Sequence, residues 1–272
     1  MADEVYRTIM ARASVRQFED REVPREVIER LARAGQQAPF TGQMYSFVVT
    51  ADRTKREELA QMFGPLVLRA PVFMLICIDF RKLEKFIAYR GRENRADDLG
   101  LLFLGIQDAA YAGENICLAA EEEGLGTCFL GAAPFVADRL VPLFKLPPRV
   151  YPLVGLVIGY PAERPQPRPR IPLACALFWD EYRDLTDEDV AAAMTVMDAG
   201  LIREGYYAKL NAKIPLRDGG AEDKVTYDEY GWSEHVSRKY GEHGDRNTGR
   251  AAAQLRRQGI VLRLDEAAEP ES

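Results

Sequence analysis

The stretch Arg12-Ala13-Ser14-Val15-Arg16-Gln17-Phe18 sets two guanidinium groups and a hydroxyl at alternate positions, directly after a segment with helical spacing of apolar residues. Arginine is always charged and binds phosphate through a rigid fork of donors, and serine adds a hydroxyl that can bond a phosphate oxygen or cap a helix. The stretch is therefore either an anion-binding segment or a turn capped by Ser14 with both Arg side chains in solvent. A second basic pair, Arg168 and Arg170 in a proline-rich segment, favours the anion.

Composition limits the classes of protein to consider. The chain has 272 residues, of which 47% are hydrophobic, enough for a substantial core. Its net charge of −6 argues against a nucleic-acid or membrane-surface partner, because such partners need a broad basic face. No apolar run approaches the roughly 18 residues of a membrane span, and the first residues lack the apolar core of a signal peptide. We therefore expect a cytoplasmic protein.

Cysteine and histidine usage predicts no metal site. The four cysteines are widely separated among apolar neighbours, and no C-x-x-C or Cys/His cluster occurs. The only histidines, His235 and His243, lie in a charged, glycine-rich region. We interpret the cysteines as core residues.

Apolar spacing predicts helices and buried strands along the first two thirds of the chain. Predicted helices cover residues 3–13, 24 to about 35, 54–63 and 101–123, and predicted strands include 71–79, 127–130 and 153–159. The run 71–79 is apolar throughout, which suits a strand buried on both faces. The pattern indicates an α+β fold with a mixed central sheet flanked by helices.

Three motifs in order carry a resemblance to a known family. They are Arg12-x-Ser14-x-Arg16-x-Phe18, the segment Gly124–Gly131 that reads GLGTCFLG, and Arg168-Pro169-Arg170-Ile171-Pro172. They resemble the R/H-x-S-x-R-x-F, G-L-G-x-x-x-I-G and K-P-R-L-P signatures of the FMN-dependent nitroreductase family, in its long form of oxygen-insensitive nitroreductases and flavin reductases. The resemblance covers nearly the whole chain, and it implies a nitroreductase-like fold and an interlocked homodimer.

The resemblance also implies a set of FMN-binding residues. Arg12, Ser14, Arg168 and Arg170 would neutralise the phosphate, and Arg16 would lie at the pyrimidine edge. The backbone amide of Ala132 would donate to flavin N5, and no side-chain acid or base is required. In the family the loop that includes Gln43 serves the flavin of the other subunit. The full implied set is Arg12, Ala13, Ser14, Arg16, Pro39, Thr41, Gln43, Phe129, Leu130, Gly131, Ala132, Arg168 and Arg170.

The activity implied by the resemblance is hydride transfer from NADH or NADPH, through flavin N5, to an electron-poor acceptor by a ping-pong mechanism. Nitroaromatics, quinones and free flavins all suit such a site. Residues 227–230 replace the Arg-rich segment with which the family contacts the NADPH 2'-phosphate, so the choice of donor stays open. Other possibilities are a flavin-binding protein without turnover, or a nitroreductase-fold enzyme of other flavin chemistry, namely reductive dehalogenation or oxygen-dependent reactions.

Composition changes near Thr186, where acidic residues begin a predicted helix that runs to about Leu210. Together with the resemblance, this change predicts three regions. Residues 1–180 form the FMN-binding core, residues 181–264 form a helical extension that packs on the partner subunit, and the acidic residues 265–272 are disordered.

Overall fold

The computed structural model describes residues 3–217, 223–243 and 248–263. Its α-helices are α1 (Glu4–Ala11), α2 (Arg25–Gln36), α3 (Arg53–Phe63), α4 (Leu66–Arg69), α5 (Phe80–Tyr89), α6 (Asp98–Glu122), α7 (Ala137–Phe144), α8 (Asp187–Glu204), α9 (Tyr206–Leu210), α10 (Trp232–Val236) and α11 (Thr248–Arg257). Its strands are β1 (Tyr45–Thr50), β2 (Val72–Asp79), β3 (Gly126–Leu130) and β4 (Val150–Gly159). Short 3-10 helices span Ala133–Val136 and Leu173–Cys175, and a π-helix spans Ser237–Glu242. None of the helices in the described ranges is both long and apolar enough to cross a bilayer.

The chain forms two compact units. The first combines residues 1–166 with residues 247–272, and the second is residues 167–246. The predicted division into a core of residues 1–180 and a helical extension of residues 181–264 that packs on the partner subunit stays a prediction. The second compact unit begins at residue 167, and α11 belongs to the first unit. The predicted disordered tail, 265–272, lies outside the described residues.

The first unit is built on an antiparallel sheet in the order β1-β2-β4-β3. All eight residues of β2 are buried, as the continuous apolar run predicts. Alternate side chains explain this burial, because Met74 and Ile76 pack with α2 and α6 residues while Phe73 and Leu75 pack in a cluster with α3, α4 and α7. The flanked sheet expected from the sequence is therefore confirmed.

The expected mixture of strand directions needs correction. All pairings among the named strands are antiparallel, and the one parallel pairing in the described residues is a single bridge between Ser14 and Thr127. Beyond this bridge, the amides of Arg16 and Gln17 donate to the Glu163 side chain. Apolar runs indicate which residues are buried but not the direction in which their strands pair.

Helix α6 spans the first unit and buries one face. Asp97 caps its first turn by accepting hydrogen bonds from the amides of Leu99 and Gly100. Small residues such as Ala109, Ala112 and Gly113 line the buried face, and they allow close contact with the sheet and with α2. The opposite face leaves Phe103 and Tyr111 exposed.

The second unit has a small aromatic core. Leu201, Tyr207 and Tyr230 form its cluster of buried apolar side chains. Helix α8 begins with a capping box in which Thr186 and Asp189 satisfy each other's backbone amides, and it ends at Gly205 in the left-handed region. The single helix expected to run to residue 210 is therefore interrupted. The left-handed backbone conformation of Gly205 ends α8 and separates it from α9.

Candidate active site

The Arg12–Phe18 segment follows α1 and lies along the first unit's sheet. Arg12 ends the helix, and the amide of Val15 donates to the carbonyl of Thr127 at 2.9 Å. Further along, Phe18 forms an antiparallel bridge with Pro161, just beyond the end of β4. The segment is therefore fixed by backbone pairing at two places, next to the paired ends of β3 and β4.

Two glycines allow this close approach. A Cβ at Gly126 would lie 2.5 Å from Val15 Cγ2, and one at Gly159 would lie 2.9 Å from Phe18 Cδ1. Both distances are too short for real carbon atoms, so a side chain at either position would displace the segment. Gly126 belongs to the motif that the sequence singles out, and its position explains why a glycine is needed there.

Arg12 lies beside acidic residues of α6. Its Nε is 3.4 Å from Glu114 Oε1, and its guanidinium donates no hydrogen bond to any residue in the described ranges. Burial raises the pKa of Glu121, and the positive charge of Arg12 partly opposes this shift. Arg12 is thus a partly buried cation that retains hydrogen-bonding capacity for an anion.

Arg16 is held through its backbone and its side chain. Its amide donates to Glu163 Oε1 at 2.6 Å, and the Gln17 amide donates to the same oxygen at 3.0 Å. The guanidinium Nη1 donates to the carbonyl of Ser14 at 3.2 Å. Ser14 and Ala13 are half-buried between the two arginines.

The loop that contains Pro39, Thr41 and Gln43 is organised by Asp108 of α6. This carboxylate is 1% exposed. It accepts hydrogen bonds from the amides of Thr41 at 2.6 Å, Gly42 at 3.0 Å and Met44 at 3.0 Å. Gln43 adopts a left-handed conformation, with φ of 49°, which directs the chain from the loop into β1.

The turn after β3 leaves one backbone amide, that of Ala132, without an acceptor among the described residues. Phe129 and Leu130 are half-buried at the end of the strand, and Gly131 and Ala132 are exposed. The Ala132 carbonyl accepts from the Phe135 amide at 3.0 Å, which begins the 3-10 helix. The Ala132 amide has no acceptor within the part of the chain that the structure describes, so it is available to a ligand.

Arg168 and Arg170 belong to the second unit. The Cζ of Arg168 lies 4.1 Å from the centre of the Tyr206 ring, and its Nη2 is buried without a hydrogen-bond partner among the described residues. Arg170 is exposed, and its Nη1 donates to the carbonyls of Arg168 and Pro169, both at 3.0 Å. A buried guanidinium nitrogen without an acceptor costs free energy, so a ligand that supplied an acceptor would be stabilised there.

The predicted residues of the first unit thus lie on three segments beside one sheet. These are the Arg12–Phe18 segment, the loop before β1, and the end of β3 with the turn that follows it. The joint action of these residues with Arg168 and Arg170 stays a prediction. Sequence reasoning assigned no role to Asp108 and did not single out Glu163. Asp108 offered one signal, because a carboxylate on the apolar face of a helix must find donors.

Comparisons with known proteins agree on one family. A sequence profile described as the Nitroreductase family matches residues 9–160. The FMN reductase (NAD(P)H) of Bacillus subtilis is 32% identical over 244 residues, which cover 88% of this chain and 91% of that protein. The NADPH-flavin oxidoreductase of Vibrio harveyi is 30% identical and covers 77% of this chain and 85% of its own length.

Solved structures give the same result. NfrA2 of B. megaterium superposes with a TM-score of 0.80 at 25% identity, covering 96% of this chain and 99% of its own. The NADPH:FMN oxidoreductase from Vibrio harveyi complexed with NAD+ superposes with a TM-score of 0.76 at 25% identity, covering 95% and 99%. The profile match contains the Arg12–Phe18 and Gly124–Gly131 motifs and ends before Arg168.

Proposed function

The chain belongs to the nitroreductase family of flavin-dependent NAD(P)H oxidoreductases, and from this premise we propose that it passes hydride from NADH or NADPH to an electron-poor acceptor by a ping-pong mechanism. The acceptor is a nitroaromatic, a quinone or a free flavin. The observation that carries the proposal is the set of donors that the family's motifs leave available to a ligand: the Arg12 guanidinium beside Glu114, the exposed Ala132 amide and the buried, unpartnered Arg168 Nη2.

These donors fit FMN chemically. Its phosphate carries a charge of about −2, for which arginine is a suitable binding partner. We propose that Arg12, Ser14, Arg168 and Arg170 bind the phosphate, that Arg16 supports negative charge at the pyrimidine edge, and that the Ala132 amide donates to the ring. Ala13, Pro39, Thr41, Gln43, Phe129, Leu130 and Gly131 complete the proposed contacts.

When bound, FMN supplies the hydride chemistry, and the protein supplies binding, orientation and charge. No side-chain acid or base enters the proposal. The protein's contribution is a rigid backbone: Asp108 fixes the loop at residues 41–44, and the pairing with Thr127 fixes the segment at Val15. Preorganised donors of this kind lower the cost of ordering the site on binding.

The phosphate assignment is tested by replacing Arg12 and Arg168 together with Ala. We expect a folded protein that is purified without flavin colour and whose dissociation constant for added FMN is raised at least about a hundredfold, because two charge-assisted contacts are lost. The matched control replaces Arg25 and Arg53, two exposed arginines in helical ion pairs, and should remain yellow. Retention of FMN by the Arg12/Arg168 variant would reject the assignment.

Turnover is tested anaerobically. Addition of NADH or NADPH to the yellow protein should bleach it, and an acceptor should restore the colour. No bleaching by either donor would indicate flavin binding without turnover, and a bleached protein that none of the proposed acceptors reoxidises would contradict the proposed acceptor classes. Steady-state rates with donor and acceptor varied should give parallel double-reciprocal lines, and converging lines would contradict the ping-pong mechanism.

We also propose that the protein is a homodimer. The support is α1, which has no buried residue and exposes Val5, Ile9 and Met10. Apolar side chains on a helix of this kind are normally covered by another surface. Light scattering after gel filtration should give twice the chain mass, and replacing Val5 and Ile9 with Lys should shift the protein toward monomer. A wild-type monomer would reject the proposal.

A further inference from the structure

Glu163 places one carboxylate oxygen at a point where two successive backbone amides meet. Its Oε1 accepts from the Arg16 amide at 2.6 Å and from the Gln17 amide at 3.0 Å. Successive amides aimed at one point form a concavity that binds anions. No Lys or Arg in the described ranges forms an ion pair with Glu163, so its bonding here is entirely to backbone N–H groups.

The Glu163 carboxylate takes the place of one backbone hydrogen bond in the antiparallel pairing of residues 17–19 with residues 160–162. Phe18 bridges Pro161, the Glu19 amide donates to the Tyr160 carbonyl at 2.9 Å, and the Ala162 amide donates to the Gln17 carbonyl at 2.9 Å. A regular ladder would return the Gln17 amide to the Ala162 carbonyl. Because this amide donates to Glu163 instead, the ladder ends there.

The same contact sets the direction of the chain at Arg16. The amide of Arg16 is turned toward Glu163, while its Nη1 reaches back to the Ser14 carbonyl at 3.2 Å. Arg16 is therefore held at two points, its backbone amide and its guanidinium. Loss of the carboxylate would leave the part-buried Arg16 amide and the exposed Gln17 amide without this acceptor, and the Arg16 backbone would no longer be held.

We propose that Glu163 is a positioning residue for Arg16. This inference rests on the proposed function, in which Arg16 supports negative charge at the pyrimidine edge of FMN. Glu163 does not touch the cofactor in this proposal. It fixes the Arg16 peptide, and reduced FMN depends on it more than oxidised FMN does, because the reduced form carries the charge that Arg16 stabilises.

Two substitutions separate the hydrogen bonds from the charge. Glu163→Gln keeps an oxygen that can accept both amides but removes the negative charge, whereas Glu163→Ala removes both. Glu163→Asp keeps the charge on a shorter side chain. The matched control is Glu19→Ala, which removes an exposed carboxylate directly after the Arg12–Phe18 segment.

The first measurement is hydrogen exchange in the apo protein. We expect the Arg16 and Gln17 amides to exchange at least about tenfold faster in Glu163→Ala than in the wild type, because their acceptor is lost. Glu163→Gln should restore protection to within about threefold of the wild type. Exchange in Glu163→Ala that matches Glu19→Ala would show that the carboxylate does not hold these amides and would overturn the inference.

The second measurement is the dissociation constant for FMN, oxidised and chemically reduced, in anaerobic titrations. Glu163→Ala should raise the constant for reduced FMN about tenfold and that for oxidised FMN less, so the midpoint potential of bound FMN becomes more negative. Equal loss of both forms would indicate a general structural role and would overturn the inference. If Glu163→Ala does not fold, Glu163→Asp is read in the same way, and wild-type constants for both forms would overturn the inference.

The two proposals fail in different ways. A wild-type protein that binds no FMN overturns the proposed function and this inference with it. A wild-type protein that binds FMN, together with Glu163→Ala constants equal to those of Glu19→Ala, overturns the inference alone.

Discussion

Every residue of β2 in the first unit is buried and most are apolar, whereas one of the most buried side chains of the second unit is the cation Arg238, at 2% exposure. Arg238 donates to Asp223, Glu234 and the Ile214 carbonyl. The first unit is thus stabilised mainly by removing apolar surface from water. The second depends on a hydrogen-bonded charge network and a few aromatic rings, so it should respond to charge and pH more strongly than the first.

The charges of the second unit reinforce one another. Hydrogen bonds to Asp223, and then to Glu234, raise the pKa of Arg238 against the effect of its burial. Hydrogen bonds from Arg238 and Lys213 lower the pKa of Asp223. A network of this kind fixes a unique geometry but is costly to break, because removal of one member leaves the others unpaired.

The largest effect is expected in the sheet of the first unit. Phe73 is fully buried between Phe63 and Phe144, and Phe73→Ala should lower the free energy of unfolding of this unit by about 4 kcal/mol. Hydrogen exchange should show the loss in β2 and β4 and leave α8 to α10 nearly unchanged. The control is Phe86→Ala, an exposed site on α5. Equal loss in both units would show that they unfold as one and would remove the contrast.

The next effect is expected in the charge network. Arg238→Ala should destabilise the second unit by about 3 kcal/mol, because acidic partners lose their cation. Exchange should rise between residues 187 and 243, with β2 and β4 still protected. Arg203→Ala, an exposed substitution on α8, is the matched control and should change stability by less than about 0.5 kcal/mol. A similar small change in Arg238→Ala would contradict the importance of the network.

A smaller effect is expected from a buried polar contact of the first unit, that of Asp108 with the loop at residues 41–44. Asp108→Asn keeps one acceptor oxygen for three amides, so we expect a loss of about 2 kcal/mol and faster exchange at Thr41, Gly42 and Met44. Gln107→Ala, one residue away and exposed, controls for a change in α6 itself. Unchanged protection of the three amides would show that the loop holds its shape without the carboxylate.

The smallest effect is a pH dependence in the second unit. Burial, and then the charge of Lys239, lowers the pKa of His235, which stacks on Tyr207 at 4.6 Å and has its Nδ1 3.2 Å from the Tyr230 hydroxyl. The unfolded chain, with a His pKa near 6.5, then binds the proton more readily than the native state. Stability from this group is complete above about pH 6.5 and is lost as pH falls below that value.

This prediction is checked by following exchange in the second unit between about pH 7.5 and 5, above the range in which Asp residues titrate. His235→Gln should abolish the pH dependence in this window, whereas His243→Gln should preserve it. An equal pH dependence in β2 and β4 would show that His235 is not its source.

The sequence allowed much of the first unit to be predicted because its signals are local. The apolar run at 71–79 and the periodicity at 101–123 correspond to β2 and α6, since burial of apolar side chains dictates both patterns. The contacts of Asp108 with residues 41–44, and of Glu163 with Arg16, join distant parts of the chain and leave no local pattern. The burial of Arg238 was also not predictable, because a charged residue in a polar region is normally assigned to the surface.

Because α11 belongs to the first unit, the second unit is joined to the first at both of its ends. Gln254 and Leu255 of α11 bond and pack with first-unit residues, so residues 167–246 form a loop whose two ends both enter the same folded body. When that loop unfolds alone, its ends stay tethered, and it gains less chain entropy than a dangling tail of equal length would. The covalent path itself therefore favours the ordered state of the second unit, and severing the chain between residues 243 and 248 would remove that benefit without deleting a single described contact.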